Sequence, residues 1–166
     1  RLPGKPLIDL KGIPMLIRTY NQCKKVVDQS KILVATDHKK IFKLCKKNNI
    51  NVMMTSSKCL TGTDRVAEVA KKIKKNFYIN VQGDEPICNP ADIKKIINTA
   101  KRYPNEVING FTEIKDKKIF YSPHIPKIIF RKDGNELLYE STSSIFHLPP
   151  NVKAAITEVI NILWSL

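Results

Sequence analysis

Short apolar runs alternate with segments whose hydrophobic residues recur at helical spacing, a pattern that predicts an α/β sheet flanked by helices. Ile32, Leu33, Val34 and Ala35 form a continuous apolar run, as expected of a strand buried on both faces. Residues 52–55 predict a second strand and residues 77–81 the clearest buried strand, which breaks at Gly83. Residues 107–111, 126–130 and 137–139 follow as further strands, the last two joined by an Asp133-Gly134 turn. Helices are expected between them. Pro14 opens the first, with Met15, Ile17, Tyr20 and Cys23 as an uneven apolar face. A second covers residues 41–47 behind a Thr36-Asp37 cap and ends at Asn48-Asn49. Thr63 or Asp64 caps a third, in which Val66, Val69, Ala70 and Ile73 share one side. A fourth begins near Pro90 and runs to about Arg102. After His147-Leu148-Pro149-Pro150 a helix-like tail follows over residues 154–166, with Ile156, Val159, Ile160 and Leu163 on one face. The expected organisation is an α/β core over residues 1–146 and a C-terminal helix within 147–166.

Charge changes this picture only a little. The chain of 166 residues carries a formal net charge of +14, which invites a nucleic-acid reading, because phosphate neutralisation dominates such binding. Arginine occurs only at positions 1, 18, 65, 102 and 131; the other basic residues are lysines in scattered pairs, such as 24-25, 46-47 and 74-75. Solvated helix faces account for that distribution, while the excess charge still attracts an anionic nucleotide or an acidic sugar. A basic nucleic-acid-binding module remains the alternative; the absence of an arginine-rich helix or an aromatic platform, at 7% aromatic residues, counts against it. No apolar run approaches the roughly 18–20 residues of a membrane span. The four cysteines (23, 45, 59 and 88) have no paired metal-ligand spacing, so Cys23 and Cys45 read as small buried hydrophobes. With no secretory leader in view, the expected setting is a reduced cytoplasm.

Three segments combine residues suited to chemistry. Arg1-Leu2-Pro3-Gly4-Lys5-Pro6-Leu7 sets two cations beside a glycine that lets backbone approach a ligand, and a flexible lysine neutralises a triphosphate as a point charge. The alternative is a Pro-Gly turn with exposed basic residues. Thr61-Gly62-Thr63-Asp64-Arg65 follows a predicted strand and opens a helix, where hydroxyls and free amides receive anionic groups; plain helix capping explains it as well. Val81-Gln82-Gly83-Asp84-Glu85-Pro86 ends the buried strand. Open α/β sheets bind ligands there, and Asp84 is a candidate Mg²⁺ ligand, since Mg²⁺ favours one or two carboxylates with phosphate oxygens. A Gly-Asp turn is the competing reading.

In this order, these motifs resemble the 3-deoxy-manno-octulosonate cytidylyltransferases. The likeness runs from Arg1 to about Tyr139 and includes Gly12-Ile13-Pro14-Met15, Val34-Ala35-Thr36-Asp37-His38 and the continuation Val66-Ala67-Glu68-Val69. The resemblance implies a three-layer α/β/α fold with a mostly parallel sheet, like that of nucleotide-diphospho-sugar transferases. It implies that the sugar acid's anomeric hydroxyl attacks the α-phosphorus of CTP and expels pyrophosphate, for lipopolysaccharide precursor synthesis. Asp84 would bind Mg²⁺ and, with Lys5, act catalytically. Arg1 and Lys5 would grip the triphosphate, and Thr61, Gly62, Thr63, Asp64 and Arg65 would seat the nucleotide, with Arg65 near the base or sugar. Gln82 would face the acidic eight-carbon sugar, in its 8-hydroxy or 8-amino form. The complete protein would be a homodimer without specific nucleic-acid or membrane partners.

The chain also departs from that family. The strand and most of the phosphate loop expected ahead of Arg1 are absent, which leaves an open edge in the middle of the expected sheet. Thr142 stands where the family has an arginine. The segment expected between Phe146 and the tail is missing, and so is a second metal-binding acid. A non-catalytic remnant or fragment of this family that binds nucleotide only is therefore the alternative to the enzyme, and this stretch by itself is expected to be inactive as a synthetase.

Overall fold

In the computed structural model of the chain, residues 4–105, 107, 108, 110–122, 127–130, 136–140, 154–157 and 163–165 are described. Arg1, Thr142 and the Asp133-Gly134 turn lie outside the described residues. The chain divides into two units, residues 1–108 with 159–166, and residues 109–158.

The first unit opens with a short hairpin, β1 (Asp9–Leu10) and β2 (Ile13–Pro14). Lys11 and Gly12 both have positive φ, at 54° and 82°, the geometry of a tight hairpin turn. The Gly12 amide donates to Asp9 Oδ1 at 2.6 Å. Helix α1 (Met15–Lys24) follows, with Pro14 as its flanking residue, and Arg18 donates back to the Leu10 carbonyl. Its buried face is Leu16, Thr19, Tyr20 and Cys23, the i, i+3, i+4, i+7 stripe of an amphipathic helix. The expected face had Met15 and Ile17 in place of Leu16 and Thr19. Thr19 can be buried because its hydroxyl donates to the carbonyls of Met15 and Gly83, each at 3.2 Å.

Strand β3 (Ile32–Thr36) runs parallel to β4 (Val52–Met54). Between them, α2 (Lys39–Lys47) is capped by His38, whose Nδ1 accepts from the Lys40 amide. The cap lies beyond the expected Thr36-Asp37, because Thr36 uses its hydroxyl to accept from the His38 amide. Asn49, at φ 54°, ends the turn after α2. Helix α3 (Gly62–Lys72) is capped by Thr61, not by Thr63 or Asp64. Asp64 serves instead as the reciprocal partner of a capping box. Strand β5 (Tyr78–Asn80) precedes α4 (Pro90–Arg102), capped by Asn89 with Pro90 in the first turn.

The helix expected over residues 154–166 is not formed. Instead, β9 (Ala154–Thr157) and β10 (Leu163–Ser165) are strands. Ile156, Thr157, Val159, Ile160 and Ile162 are β-branched, so helical spacing there coexists with strand-forming side chains. β10 lies between β3 and β5, antiparallel to both, giving the order β4-β3-β10-β5. The middle of the sheet is thus paired rather than left as an open edge. The core of this unit joins Leu16, Tyr20, Cys23, Ile32, Val34, Cys45, Ile50, Ile79, Val81, Cys88, Ile93 and Ile97. A fully buried isoleucine such as Ile32 or Ile93 contributes about 1.5–3 kcal/mol.

In the second unit, β6 (Phe111–Glu113), β7 (Lys127–Phe130), β8 (Glu136–Glu140) and β9 form an antiparallel sheet in the order β6-β9-β7-β8. β6 starts later than the expected 107–111 strand, because Val107 and Ile108 precede Gly110 in irregular backbone. Helix α5 (Lys117–Tyr121) carries an Asp116 cap.

Candidate nucleotide site

β3 and β4 are parallel, and β3 and β5 both oppose β10, so all three point the same way. The residues that follow them therefore lie beyond one edge of the sheet, where open α/β folds place ligands. Two groups of side chains occupy those carboxyl ends.

The first group joins residues far apart in sequence. Gly4, at φ 72°, starts a short 3₁₀ turn over Lys5–Leu7, and the Leu7 amide closes it on the Gly4 carbonyl at 2.8 Å. A left-handed backbone suits glycine there. The turn presents Lys5, whose Nζ donates to Asp84 Oδ2 at 2.8 Å. The hydrogen bond and charge of Asp84 raise the Lys5 ammonium above its usual value, so it stays protonated. Asp84 follows β5 through Gly83, where an added Cβ would meet Leu16 Cδ1 at 3.0 Å. Gly83 thus lets the strand end press against α1, with Thr19 bonded to its carbonyl. Beyond it, the Glu85 amide donates to the Gln82 carbonyl and the Cys88 amide to the Glu85 carbonyl. The Cys23 and Cys88 thiols are hydrogen-bonded, and that bond and burial push Cys23 well above the usual thiol range. Burial pushes Cys45 up to about 11, and such thiols are inert packing groups.

The second group is local to the β4–α3 connection. The Thr61 hydroxyl accepts from the Asp64 amide at 3.1 Å, and Asp64 Oδ2 accepts from the Thr61 amide at 2.8 Å. The Thr61 amide first and the Thr61 hydroxyl second, both donating to its carboxylate, hold Asp64 below the usual carboxylate range. Arg65, one turn on, donates to Thr55 Oγ1 and to the Ser56 carbonyl, and its second terminal nitrogen lies 3.3 Å from Asp37 Oδ2. Glu68 Oε2 accepts from the Ser56 amide at 2.7 Å and from the Cys59 thiol at 3.5 Å, while Oε1 meets Lys72 at 2.8 Å. Lys72 first and the Ser56 amide second lower Glu68 to about 2.

Of the expected site residues, Lys5 and Asp84 are brought into contact, and Thr61, Asp64 and Arg65 are gathered at the start of α3. Gly62 and Thr63 are the first residues of that helix, and Gln82 is half-buried two residues before Asp84. Sequence reasoning gave no site role to Asp37, Thr55, Ser56 or Glu68; Asp37 is expected in a helix cap, and Asp37 and Glu68 stand only within the motifs of the resemblance. The signals for Glu68 are its place in the Val66-Ala67-Glu68-Val69 continuation of the motif and its position three residues after Arg65, on the same helix face.

Residues 1–154 match the family model described as cytidylyltransferase. The chain belongs to the cytidylyltransferase family. Among its curated relatives, the 3-deoxy-manno-octulosonate cytidylyltransferase of Herminiimonas arsenicoxydans is 35% identical over 150 residues, 89% of this chain and 59% of the relative. That of Polynucleobacter necessarius is 37% identical over 149 residues, 87% of this chain and 58% of its own length. That of Haemophilus influenzae is 32% identical over 148 residues, with the same two shares. The chain thus spans under three fifths of the length of these relatives. A solved CMP:2-keto-3-deoxy-manno-octonic acid synthetase complexed with CTP superimposes with a TM-score of 0.83 at 26% identity, covering 99% of this chain and 68% of that one. The α/β fold expected from the sequence is therefore the cytidylyltransferase fold. Among the described residues, no helix is long and apolar enough to cross a membrane.

Proposed function

We propose that the protein transfers CMP from CTP to 3-deoxy-manno-octulosonate or its 8-amino analogue, with release of pyrophosphate. The observation that carries this reading is the Lys5–Asp84 contact beyond β5, in a chain whose family and solved relative act on cytidine nucleotides. Its Nζ–Oδ2 pair places one cation and one carboxylate side by side. A triphosphate arriving there draws Lys5 towards its oxygens as a point charge, which frees the Asp84 carboxylate.

The Asp84 carboxylate beyond β5 is a donor of the kind Mg²⁺ takes, which uses one or two carboxylates and completes its shell with phosphate and water. Asp84 would hold it, and when bound it would withdraw charge from the phosphate oxygens. Lys5 and, by resemblance, Arg1 would neutralise the charge that grows on the departing pyrophosphate. The start of α3, residues 61–65, would seat the nucleotide, and Gln82 would face the sugar acid. The resemblance also supports a homodimer working in the cytoplasm.

Calorimetric titration with CTP, UTP, ATP and GTP in Mg²⁺, beside an assay of pyrophosphate release with 3-deoxy-manno-octulosonate, tests the proposal. CTP is expected to bind most tightly. Equal affinity for all four would leave only a generic phosphate site.

A further inference from the structure

The backbone of Ser56 is held on both sides by α3. Its amide donates to Glu68 Oε2 at 2.7 Å, and its carbonyl accepts from Arg65 at 3.4 Å. Arg65 and Glu68 are three residues apart, so they rise from one face of the helix. Glu68 also accepts from Cys59, at the far end of the same loop. The loop from Thr55 to Leu60 is therefore folded back onto the helix it introduces. Its last residue, Leu60, is 84% exposed, so apolar burial does not anchor that end. Hydrogen bonds do.

We infer that Glu68 is a positioning residue for the nucleotide-binding turn at 61–65, acting through the Ser56 amide. This rests on the function proposed above. Glu68 lies in the second turn of α3 and its bonds reach the loop, not the capping box. By fixing Ser56 and Cys59 it limits the paths along which the chain can enter Thr61. The direction of the free amides at the start of α3 follows from that entry. A turn ordered before the nucleotide arrives binds it without the entropy loss of ordering it afterwards. Arg65 contributes the second half of the clasp and ties it to Asp37, at the end of β3.

The test combines amide hydrogen exchange over residues 55–61 with CTP titration and steady-state kinetics, on the unmodified protein and on Glu68→Ala, Glu68→Gln and Lys72→Ala. Glu68→Ala is expected to speed exchange in the loop and to raise the Kd and KM for CTP about tenfold, the effect of one charged hydrogen bond, with kcat nearly unchanged. Glu68→Gln keeps an oxygen for the Ser56 amide and should restore both readouts. Lys72→Ala removes the ion pair without touching the loop and should behave as unmodified. Should Glu68→Ala not fold, Glu68→Asp, which draws the carboxylate back by one methylene, must show the same loss. A folded Glu68→Ala that binds CTP normally overturns the inference. So does a Gln variant as damaged as the Ala variant, or a Lys72 variant that reproduces the loss. An unmodified protein that binds no CTP strikes the proposed function as well, whereas a loosened loop with unchanged affinity strikes this inference alone.

Discussion

The two groups at the carboxyl edge of the sheet are built in opposite ways. Lys5 and Asp84 are 79 residues apart in sequence and meet through one contact between side chains that are 48% and 25% exposed. The clasp on α3 joins residues within about one loop and two helical turns, and it makes many bonds, several to backbone. An exposed ion pair contributes only about 0–1 kcal/mol, so the first group holds its geometry loosely. The second is fixed mainly by its own local sequence, with the Arg65–Asp37 ion pair tying it to the end of β3. A group that must release its partner to a ligand gains from a weak bond. A group that must hold a turn in place gains from redundancy.

The largest expected effect tests the loose group. Asp84→Asn is nearly isosteric, yet it removes the charge that holds Lys5 and that, in the proposed function, would hold a metal ion. Metal-dependent transfer is expected to fall by roughly 100–1000-fold, the range for losing one donor to developing charge, with the melting temperature little changed. Near-normal turnover would reduce Asp84 to a turn residue. Gly83→Ala comes next. Its Cβ would press on Leu16, which is buried, and chemical denaturation should show a loss of about 1–3 kcal/mol. An unchanged midpoint would mean that α1 yields freely at this contact.

Much of the first group was legible in the sequence, and much of the second was not. The motif around Asp84 shows itself because a buried strand ends there in glycine and two acids. β3 and α4 were legible for a similar reason: their apolar runs and the Asn89-Pro90 start agree with their final environment. The clasp was hidden because Glu68 and Arg65 bond to backbone groups of Ser56, which no residue type announces. Thr19 was hidden likewise, since a threonine reads as surface until Gly83 brings a carbonyl to it. The tail failed for a different reason. Its spacing favours a helix, but its β-branched side chains and the open edges of β3 and β5 favour a strand.

Two smaller effects sharpen the contrast. Thr61→Ala should lower stability by about 1 kcal/mol by removing the cap of α3, whereas Lys5→Met should change it by less than about 1 kcal/mol. Denaturation of the two variants side by side would reverse the comparison if Lys5→Met proved the more damaging. Acid and alkali should also separate the groups. Glu68 is lowered from its ordinary 4.5 to about 2, so its contribution is present above about 4.5 and is lost as pH falls towards 2. Lys5 is raised above its ordinary 10.5, so its contribution is present below 10.5 and is lost as pH rises through the raised value. Hydrogen-exchange protection over residues 55–61, corrected for the intrinsic pH dependence of amide exchange, should therefore fall in acid as Glu68 is protonated. Protection that persists down to about pH 2 would show that the clasp does not depend on the Glu68 charge.

The place of β10 has a consequence for the order in which the molecule assembles. β3 and β5 are translated early, yet they reach each other only through a strand translated much later. Until then the parallel β4–β3 pair and the single strand β5 are separate pieces, each with a bare edge, and long-range pairing of this kind is slow to form. Protease digestion of ribosome-arrested chains with and without β10 would reveal the stage. Resistance of residues 32–102 before β10 emerges would contradict it. β10 is the keystone of this sheet, and the strands it joins share one hydrogen-bonded surface only once it is in place.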